Sequence, residues 1–307
     1  MALSHFDTLY RQQYSDLWPA IRIALLSKQK YGALINNFCQ NEDFLNFLTE
    51  QDATDFVHDG AIRLRQACQH IDESKDDSTV VIDMNTDVKH NKQDEEFYIS
   101  PNTEYIGRDA ARISSHLSHK TEFETYHIPN KINTIKYDFN VSPHLKCFIH
   151  GNEQRFTNPY YDAAIGTMAY YIMDASSILP VIALDIQPDD VILDMCAAPG
   201  GKALAMLQTM YVGGLVVNDP AYSRRLSLKS VISSYMPKSM ITGDMLRITK
   251  YDGTKWSQLE SNVYDKVLVD VPCTTDRHVL HNNDNNIFSR SRNKERQSLP
   301  SLQSELL

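Results

Sequence analysis

The clearest indication of the fold is the stretch Val191-Ile-Leu-Asp-Met-Cys-Ala-Ala-Pro-Gly-Gly-Lys202. Its apolar first half is typical of a buried strand, and the small residues that follow, with a Gly-Gly pair, predict a tight turn. We call residues 197–202 the glycine turn. A helical pattern then runs to Met210. A strand, a glycine turn and a helix open a nucleotide-binding α/β unit, in which ligands bind beyond the carboxyl ends of the strands.

Strands and helices alternate on the C-terminal side of this turn. The hydrophobic pattern predicts strands at 191–196, 215–218, 240–242 and 267–271. It predicts helices at 223–235 and at 290–307, the last either continuous or in two pieces broken before Pro300. Upstream, the stripe of Ile165, Met168, Ile172 and Met173 predicts one helix, and Pro180 opens a second. Strand–helix alternation indicates a Rossmann-like parallel sheet with right-handed crossovers.

Three regions of the chain differ in hydrophobic pattern and polarity. Residues 1–69 are predicted to form a helical N-terminal extension, with Pro19 suited to the first turn of a helix. Residues 70–140 are polar and acidic, and are expected to form a largely flexible insert. Residues 141–307 hold the α/β domain. Four parallel strands would leave an open sheet edge, and the last helix lacks a C-cap glycine, so we expect the sheet to be incomplete and the chain cut short at its C-terminus.

Composition excludes several classes. No run approaches the roughly 18–20 apolar residues that a membrane helix requires. The five cysteines form no CxxC pair, which argues against a zinc or disulfide framework and for a reducing compartment. His278 and His281 have no supporting ligand pattern, so no metal is expected. The first twenty residues resemble neither a secretory signal nor a mitochondrial presequence.

The negative charge is concentrated in one segment. The formal net charge is −9, and the nine acidic and three basic residues within 72–96 account for −6 of it. The rest of the chain is therefore close to neutral, and net charge does not exclude an RNA substrate.

Aspartates follow successive strands beside the glycine turn. Gly200 and Gly201 allow close approach of a ligand, Asp219 can accept from ribose hydroxyls, and Asp252 can accept from an adenine amino group. Asp270 ends the last strand. Any one aspartate is also typical of a solvated strand end or helix cap, but three together favour a ligand crevice. Since neither GxGxxG nor a Walker A sequence occurs, S-adenosyl-L-methionine fits better than NAD or ATP.

Cys273 directly follows the last predicted strand, in Pro272-Cys273. A thiolate that adds to C6 of cytosine makes C5 nucleophilic enough to accept a methyl group, and Asp270 can stabilise charge at the N3 edge of the ring. The alternative is an inert packed cysteine, which we favour for Cys196 because its neighbours are apolar.

Basic residues cluster in two places that suit phosphate contact. A solvated helical face is the alternative for both. The first cluster lies within the helix predicted at 223–235, and the second lies near the C-terminus; they comprise Arg224, Arg225, Lys229, Arg290, Arg292, Lys294 and Arg296.

Two motifs together resemble the Sun-domain RNA cytosine-5 methyltransferases: Asp194-Met-Cys-Ala-Ala-Pro-Gly-Gly-Lys202 and Asp270-Val-Pro-Cys273. The extended match through Arg277-His278, Asn286-Ile-Phe288 and Arg290-Ser-Arg292 is similar to the branch that modifies mitochondrial ribosomal RNA. The resemblance implies that Gly200, Gly201 and Lys202 hold the methionine end of S-adenosyl-L-methionine. It also implies that Asp219 binds the ribose and that Arg224 supports the cofactor pocket. Asp252 and Gly253 would contact the adenine, and Asp270 would lie between the cofactor and the target base.

The family carries two cysteines, and this sequence departs from that pattern. In the family the Pro-Cys cysteine, here Cys273, assists product release, while a Thr-Cys cysteine on the next strand attacks the base. No Thr-Cys pair occurs in the 307 residues. DNA cytosine-5 methyltransferases attack with the Pro-Cys cysteine, so Cys273 as nucleophile stays an alternative.

The resemblance also implies a mitochondrial location and a role in ribosome assembly. Its implied partners are ribosomal RNA and a helical-repeat factor of the transcription-termination type. Two other functions stay open. One is a non-catalytic, cofactor-binding scaffold in ribosome assembly, and the other is a DNA cytosine methyltransferase that uses Cys273.

Overall fold

The computed structural model describes residues 2–39, 42–63, 141–151, 156–282, 284 and 286–307. The chain divides into two units, and the described residues belong to the one formed by Met1–Ala67 and Lys136–Leu307. The predicted acidic insert at 70–140 lies outside the described residues, as do residues 64–69 of the predicted extension.

The described part of the N-terminal segment contains strands as well as helices. Helix α1 spans Ala2–Tyr14 and, after a 3₁₀ turn, helix α2 spans Trp18–Leu26, with Pro19 in its first turn as expected. The prediction of helix throughout 1–69 is wrong at 31–35 and 53–55, where the structure has strands. Strand β1 (Tyr31–Ile35) is buried along four of its five residues because it pairs on both sides with strands far away in sequence. The remaining elements are helix α3 (Glu42–Glu50), strand β2 (Ala53–Asp55) and helical residues 56–63.

An antiparallel sheet replaces one of the predicted helices. Its order is β2-β3-β1-β6, with β3 at Cys147–His150 and β6 at Tyr170–Asp174. A hairpin of β4 (Tyr161–Asp162) and β5 (Thr167–Met168) precedes β6. The predicted helical stripe across 165–173 is therefore wrong. Gly166 at φ +82° turns the hairpin, and aromatic and β-branched residues fill the strands.

The predicted parallel sheet is confirmed, in the order β10-β7-β8-β9. All four strands carry buried apolar residues, as expected for a sheet covered on both faces. They span Asp190–Asp194 (β7), Val212–Asn218 (β8), Leu246–Thr249 (β9) and Lys266–Leu268 (β10).

The helices around this sheet are α4 (Leu179–Ala183), α5 (Gly201–Gln208), α6 (Tyr222–Tyr235), α7 (Lys238–Ile241), α8 (Asp276–His281) and α9 (Asn293–Leu306). Helix α9 runs through Pro300 without a break. The strand predicted at 240–242 is wrong: Pro237 caps helix α7 there, and the third strand begins six residues later than predicted. An apolar run as short as Met240-Ile241 does not distinguish helix from strand.

The two sheets share one hydrophobic core. Leu34 of β1 and Met173 of β6 belong to the same buried cluster as Leu204 of α5 and Val217 of β8. A buried amide network crosses the same junction. Asn36 donates from Nδ2 to the carbonyls of Met168 (2.7 Å) and Tyr235 (2.9 Å), and its Oδ1 accepts from Gln208 Nε2 (3.1 Å). The N-terminal strand is therefore part of the domain rather than an appendage to it.

Candidate active site

The glycine turn is held tightly between a helix and a strand. Gly200 caps helix α5 at φ +115°, a conformation that L side chains rarely adopt, and a Cβ there would lie 3.0 Å from Leu228 Cδ1. A Cβ on Gly201 would lie 3.1 Å from Tyr171 Cε1. Both glycines are required by the space around the turn, so its backbone is available for close approach of a ligand.

Asp219 and Arg224 form a pair that reaches the glycine turn. The Asp219 carboxylate is buried at the end of β8 and accepts from the Arg224 Nε at 2.9 Å and from the Ala221 amide at 3.0 Å. Arg224 also donates from a terminal nitrogen to the Ala198 carbonyl at 2.8 Å. Arg224 thus links the second strand end to the turn, which gives a physical form to its predicted supporting role.

A cavity of about 210 Å³ opens beside the turn, at the ends of β7 and β10. We call it the strand-end cavity. Lys202 Nζ lies 2.8 Å from Asp270 Oδ2 across it. Residues of the antiparallel sheet form another wall, so both sheets contribute; the polar and aromatic lining comprises Tyr171, Asp174, Ser177, Asp194, Lys202 and Asp270.

Asp194 lines this cavity although the sequence analysis did not select it as a site residue. Its side chain is buried, and neither carboxylate oxygen has a hydrogen-bond partner among the described residues. Burial, reinforced by the negative charge of Asp270, raises the pKa of Asp194 to about 7. The signal in the sequence was an acid at the end of the apolar run Val191-Ile-Leu. Such an acid is costly to bury unless something binds it.

Asp252 and Gly253 lie elsewhere on the rim. Asp252 is exposed and caps a 3₁₀ turn (Gly253–Gln258), with its carboxylate accepting from the Thr254 amide at 3.1 Å. The hydrogen bond from the Thr254 hydroxyl, together with this one from the amide, lowers the pKa of Asp252. A Cβ on Gly253 would lie 2.7 Å from Leu306 Cδ2, so a larger residue there would displace the Leu306 side chain. Neither residue lines the strand-end cavity.

Cys273 is exposed on residues 271–275, which we call the cysteine loop. Its Sγ accepts from the Thr275 amide at 3.4 Å, and the Pro272 carbonyl accepts from Gln303 at 2.7 Å. Cys273 does not line the strand-end cavity, but it lies three residues beyond Asp270, which does. Cys196 does line the cavity, and burial raises its pKa to about 11.

Comparison with known proteins agrees with this geometry. The family described as 16S rRNA methyltransferase RsmB/F matches residues 181–307. The 5-cytosine rRNA methyltransferase NSUN4 of Xenopus laevis is 42% identical over 311 residues, which cover 100% of this chain and 68% of the relative.

The chain belongs to the Sun-domain RNA cytosine-5 methyltransferase family. The mouse protein of the same name as the Xenopus relative is 40% identical over 309 residues, covering 100% of this chain and 65% of the mouse protein. The mitochondrial tRNA (cytosine(34)-C(5))-methyltransferase of Danio rerio is 40% identical over 163 residues, covering 53% of this chain and 43% of the relative. This chain thus spans about two thirds of the length of the NSUN4 proteins it matches.

The predicted family and the parallel-sheet methyltransferase fold are both confirmed. Among the helices that the structure describes, none has the length and apolar character needed to cross a bilayer. The described part of the chain also holds no group of three or more His, Cys, Asp or Glu side chains arranged to bind a metal ion. His281 Nε2 lies 3.0 Å from the Leu25 carbonyl, and His278 Nε2 lies 3.1 Å from that of Asp284.

Proposed function

We propose that this chain belongs to an S-adenosyl-L-methionine-dependent enzyme that methylates C5 of cytosine in mitochondrial ribosomal RNA. The observation that carries the proposal is the strand-end cavity, where a glycine turn, the Lys202–Asp270 pair and the buried Asp194 meet. The match of the whole of this chain to relatives named 5-cytosine rRNA methyltransferase supports the substrate class. The mitochondrial relative supports the location.

The residues present fit this cofactor. S-adenosyl-L-methionine carries a sulfonium and an ammonium group, and the cavity offers the unpartnered carboxylate of Asp194 to such a cation. Gly200, Gly201 and Lys202 would hold the methionine end, and Asp219 the ribose. When bound, the cofactor supplies an electrophilic methyl group.

The remaining contacts follow the rim of the crevice. Arg224 would support the ribose side through its bonds to Asp219 and Ala198. Asp252 and Gly253 would contact adenine, and the exposed Asp252 carboxylate has capacity to accept from its amino group.

Asp270 and Lys202 would act on the base. Asp270 is about half exposed, with side-chain accessibility of 53%, so its carboxyl group can meet the N3 edge of a cytosine entering the cavity. Lys202 compensates its negative charge from 2.8 Å. The negative charge that develops on the ring when a thiolate adds to C6 would be stabilised by the Lys202 ammonium and by a proton shared between Asp270 and N3.

Cys273 has two assignments, and one experiment separates them. The complete protein and its Cys273→Ser variant are incubated with ribosomal RNA and cofactor, and covalent protein–RNA adducts are resolved on denaturing gels. If Cys273 releases the product, the variant accumulates an adduct. If Cys273 is the nucleophile, the variant forms none and transfers no methyl group.

Transfer of a labelled methyl group tests the function itself. The complete protein should label cytosine C5 in ribosomal RNA and leave DNA unlabelled. Cofactor binding without transfer to either nucleic acid would favour the scaffold function, and transfer to DNA alone would favour the DNA methyltransferase. Copurification from mitochondria tests the proposed helical-repeat partner separately.

A further inference from the structure

A second concave surface lies along the outer edge of the parallel sheet, between helix α6 and the edge strand β9. Its volume is about 390 Å³, and its charged and aromatic lining comprises Tyr222, Arg225, Lys229, Arg247, Lys250 and Tyr251. We call it the edge groove. None of the residues assigned above to the cofactor or the base lines it.

The edge groove is strongly cationic. Four of its lining residues are basic and none is acidic, although the chain as a whole carries a net charge of −9. Lys229 and Lys250 are exposed, and neither has a hydrogen-bond or ion-pair partner in the part of the chain that the structure describes. Arg247 is already paired with Glu260 at 2.6 Å, so the lysines and Arg225 are the charges left for a ligand.

The edge groove also exposes two aromatic rings. Tyr222 is 70% accessible to solvent and Tyr251 is 47% accessible. Large apolar ring surfaces exposed together in this way are typical of a binding surface. The Arg225 guanidinium lies 5.8 Å from the centre of the Tyr222 ring and also donates to the carbonyls of Asp219 and Pro220. Exposed rings among unpaired cations are the features with which proteins bind single-stranded nucleic acid.

We propose that the edge groove binds a single-stranded segment of the RNA substrate. Phosphates would contact Lys229, Lys250 and Arg225, and bases would stack on Tyr222 and Tyr251. This inference rests on the proposed function, because it takes its ligand from that function. An acidic peptide would use the cations but gains little from two exposed rings, so the aromatic pair favours RNA.

Helix α6 connects the groove to the cofactor side. Arg224 turns toward Ala198 and the buried Asp219, while its neighbour Arg225 lines the groove and bonds to the backbone of Asp219. Consecutive residues on a helix point in directions about 100° apart, so one helix serves both sites. RNA seated in the groove would therefore rest against the helix that secures the strand end carrying Asp219.

The test measures binding of a fluorescein-labelled single-stranded RNA of about 20 nucleotides, longer than the roughly 4–16 nucleotides of a compact single-strand site. The complete protein is compared with Lys229→Gln/Lys250→Gln by anisotropy between about 50 and 200 mM salt. We expect about tenfold weaker binding at low salt, and a slope of log K against log salt smaller by about 1.4, since each lost contact removes about 0.7. The matched control, Lys30→Gln/Lys238→Gln, changes the net charge equally outside the groove and should match the wild type.

The aromatic contribution has a different signature. Tyr222→Ala should weaken RNA binding about five- to fiftyfold at every salt concentration, because stacking does not release counterions. Tyr161→Ala, which removes an exposed tyrosine from the β4–β5 hairpin, is the control. Circular dichroism checks that each variant is folded, and calorimetry checks that it binds cofactor as the wild type does.

The outcomes separate the groove from the function. If the wild type methylates RNA but the groove variants bind RNA as their controls do, the groove proposal fails and the proposed function stands. If the wild type binds no RNA, both fail. Groove-dependent binding of a polyglutamate peptide without groove-dependent binding of RNA would assign the surface to an acidic protein instead.

Discussion

The glycine turn and the cysteine loop both follow strands of the parallel sheet, but they are held in place differently. The backbone of the turn is secured by residues at most about thirty positions away, such as Arg224 at Ala198 and Leu228 beside Gly200. The cysteine loop leads into helix α8, which is secured from the other end of the chain. Tyr10 of α1 donates to Asp276 at 2.6 Å, and Arg277 donates to the carbonyls at the end of α2.

This difference separates the element proposed to bind the cofactor from the loop that carries the proposed reacting thiol. The turn has its shape wherever its strand and helix fold. The position of Cys273 depends in addition on how α1 and α2 pack against α8. This packing is held by one apolar cluster that contains Phe6, Trp18 and Phe288. The N-terminal helices are therefore expected to influence the reactivity of Cys273 without influencing the glycine turn.

The largest effect is expected on the turn side, at Asp194. Its folded-state pKa of about 7 lies above the ordinary value of 3.8, so its contribution to stability is present below about pH 4 and is lost as the pH rises through 7. Replacing Asp194 with Asn removes this loss. Urea unfolding at pH 8 should show the variant more stable than wild type by on the order of 4 kcal/mol, with the advantage vanishing toward pH 4. The exposed Asp244→Asn should follow the wild type, and parallel pH curves for Asp194→Asn would contradict the prediction.

Asp219→Ala should come next. It removes the buried carboxylate proposed to bind ribose and releases Arg224 from the turn. Charge-assisted bonds of this kind contribute about 1.5–3 kcal/mol each, so calorimetry should find cofactor affinity reduced about 100-fold. Lys238→Gln serves as an exposed control. Affinity within about twofold of wild type would remove Asp219 from the site.

The two strand-end thiols should differ by a smaller factor. Cys196 is half-buried with a pKa of about 11, so few of its thiols are ionised at pH 8, whereas Cys273 is exposed. Iodoacetamide followed by peptide mass spectrometry should modify Cys273 more than about tenfold faster. The Cys196 rate should rise roughly tenfold per pH unit up to about pH 10. Equal rates at pH 8 would place the reactive thiol at Cys196.

The smallest effect tests the long-range support directly. Burial and Asp276 raise the pKa of Tyr10, which keeps its hydroxyl protonated and donating. Tyr10→Phe deletes that bond and should cost about 1 kcal/mol of stability. It should also change the alkylation rate of Cys273 about two- to threefold, because the loop loses a constraint. Tyr14→Phe, in the same aromatic stack, should change neither quantity. An unchanged Cys273 rate in Tyr10→Phe would show that the cysteine loop is autonomous.

The parallel sheet and the glycine turn could be predicted because their information is local. Val191-Ile-Leu and Leu215-Val-Val are continuous apolar runs, and the Gly-Gly pair marks the turn between strand and helix. The antiparallel sheet could not be predicted in this way. Strand β1 pairs with β3 and β6, more than a hundred residues away, and no local pattern in Tyr31–Ile35 records those partners.

The candidate site residues show the same contrast between local motifs and long-range packing. Asp219, Asp270, Lys202 and the two glycines could be proposed as site residues from the sequence because they occur in motifs at strand ends. Tyr171 and Asp174 line the strand-end cavity from the unpredicted sheet, so nothing in the sequence pointed to them. Asp194 lies within the motif but was overlooked, because its importance comes from burial without a partner, which only the packing of its neighbours determines.

The amide network at Asn36 bears on where this protein can be divided. The family match begins at residue 181, yet Gln208 inside it bonds to Asn36 and to the backbone of Asn37. A fragment starting at residue 181 would leave that buried glutamine facing solvent or a void. It would also remove Leu34 from the buried apolar cluster that contains Leu204. The limits of the family-model match and those of an independently folding unit therefore differ in this chain, and deletion experiments should respect the second.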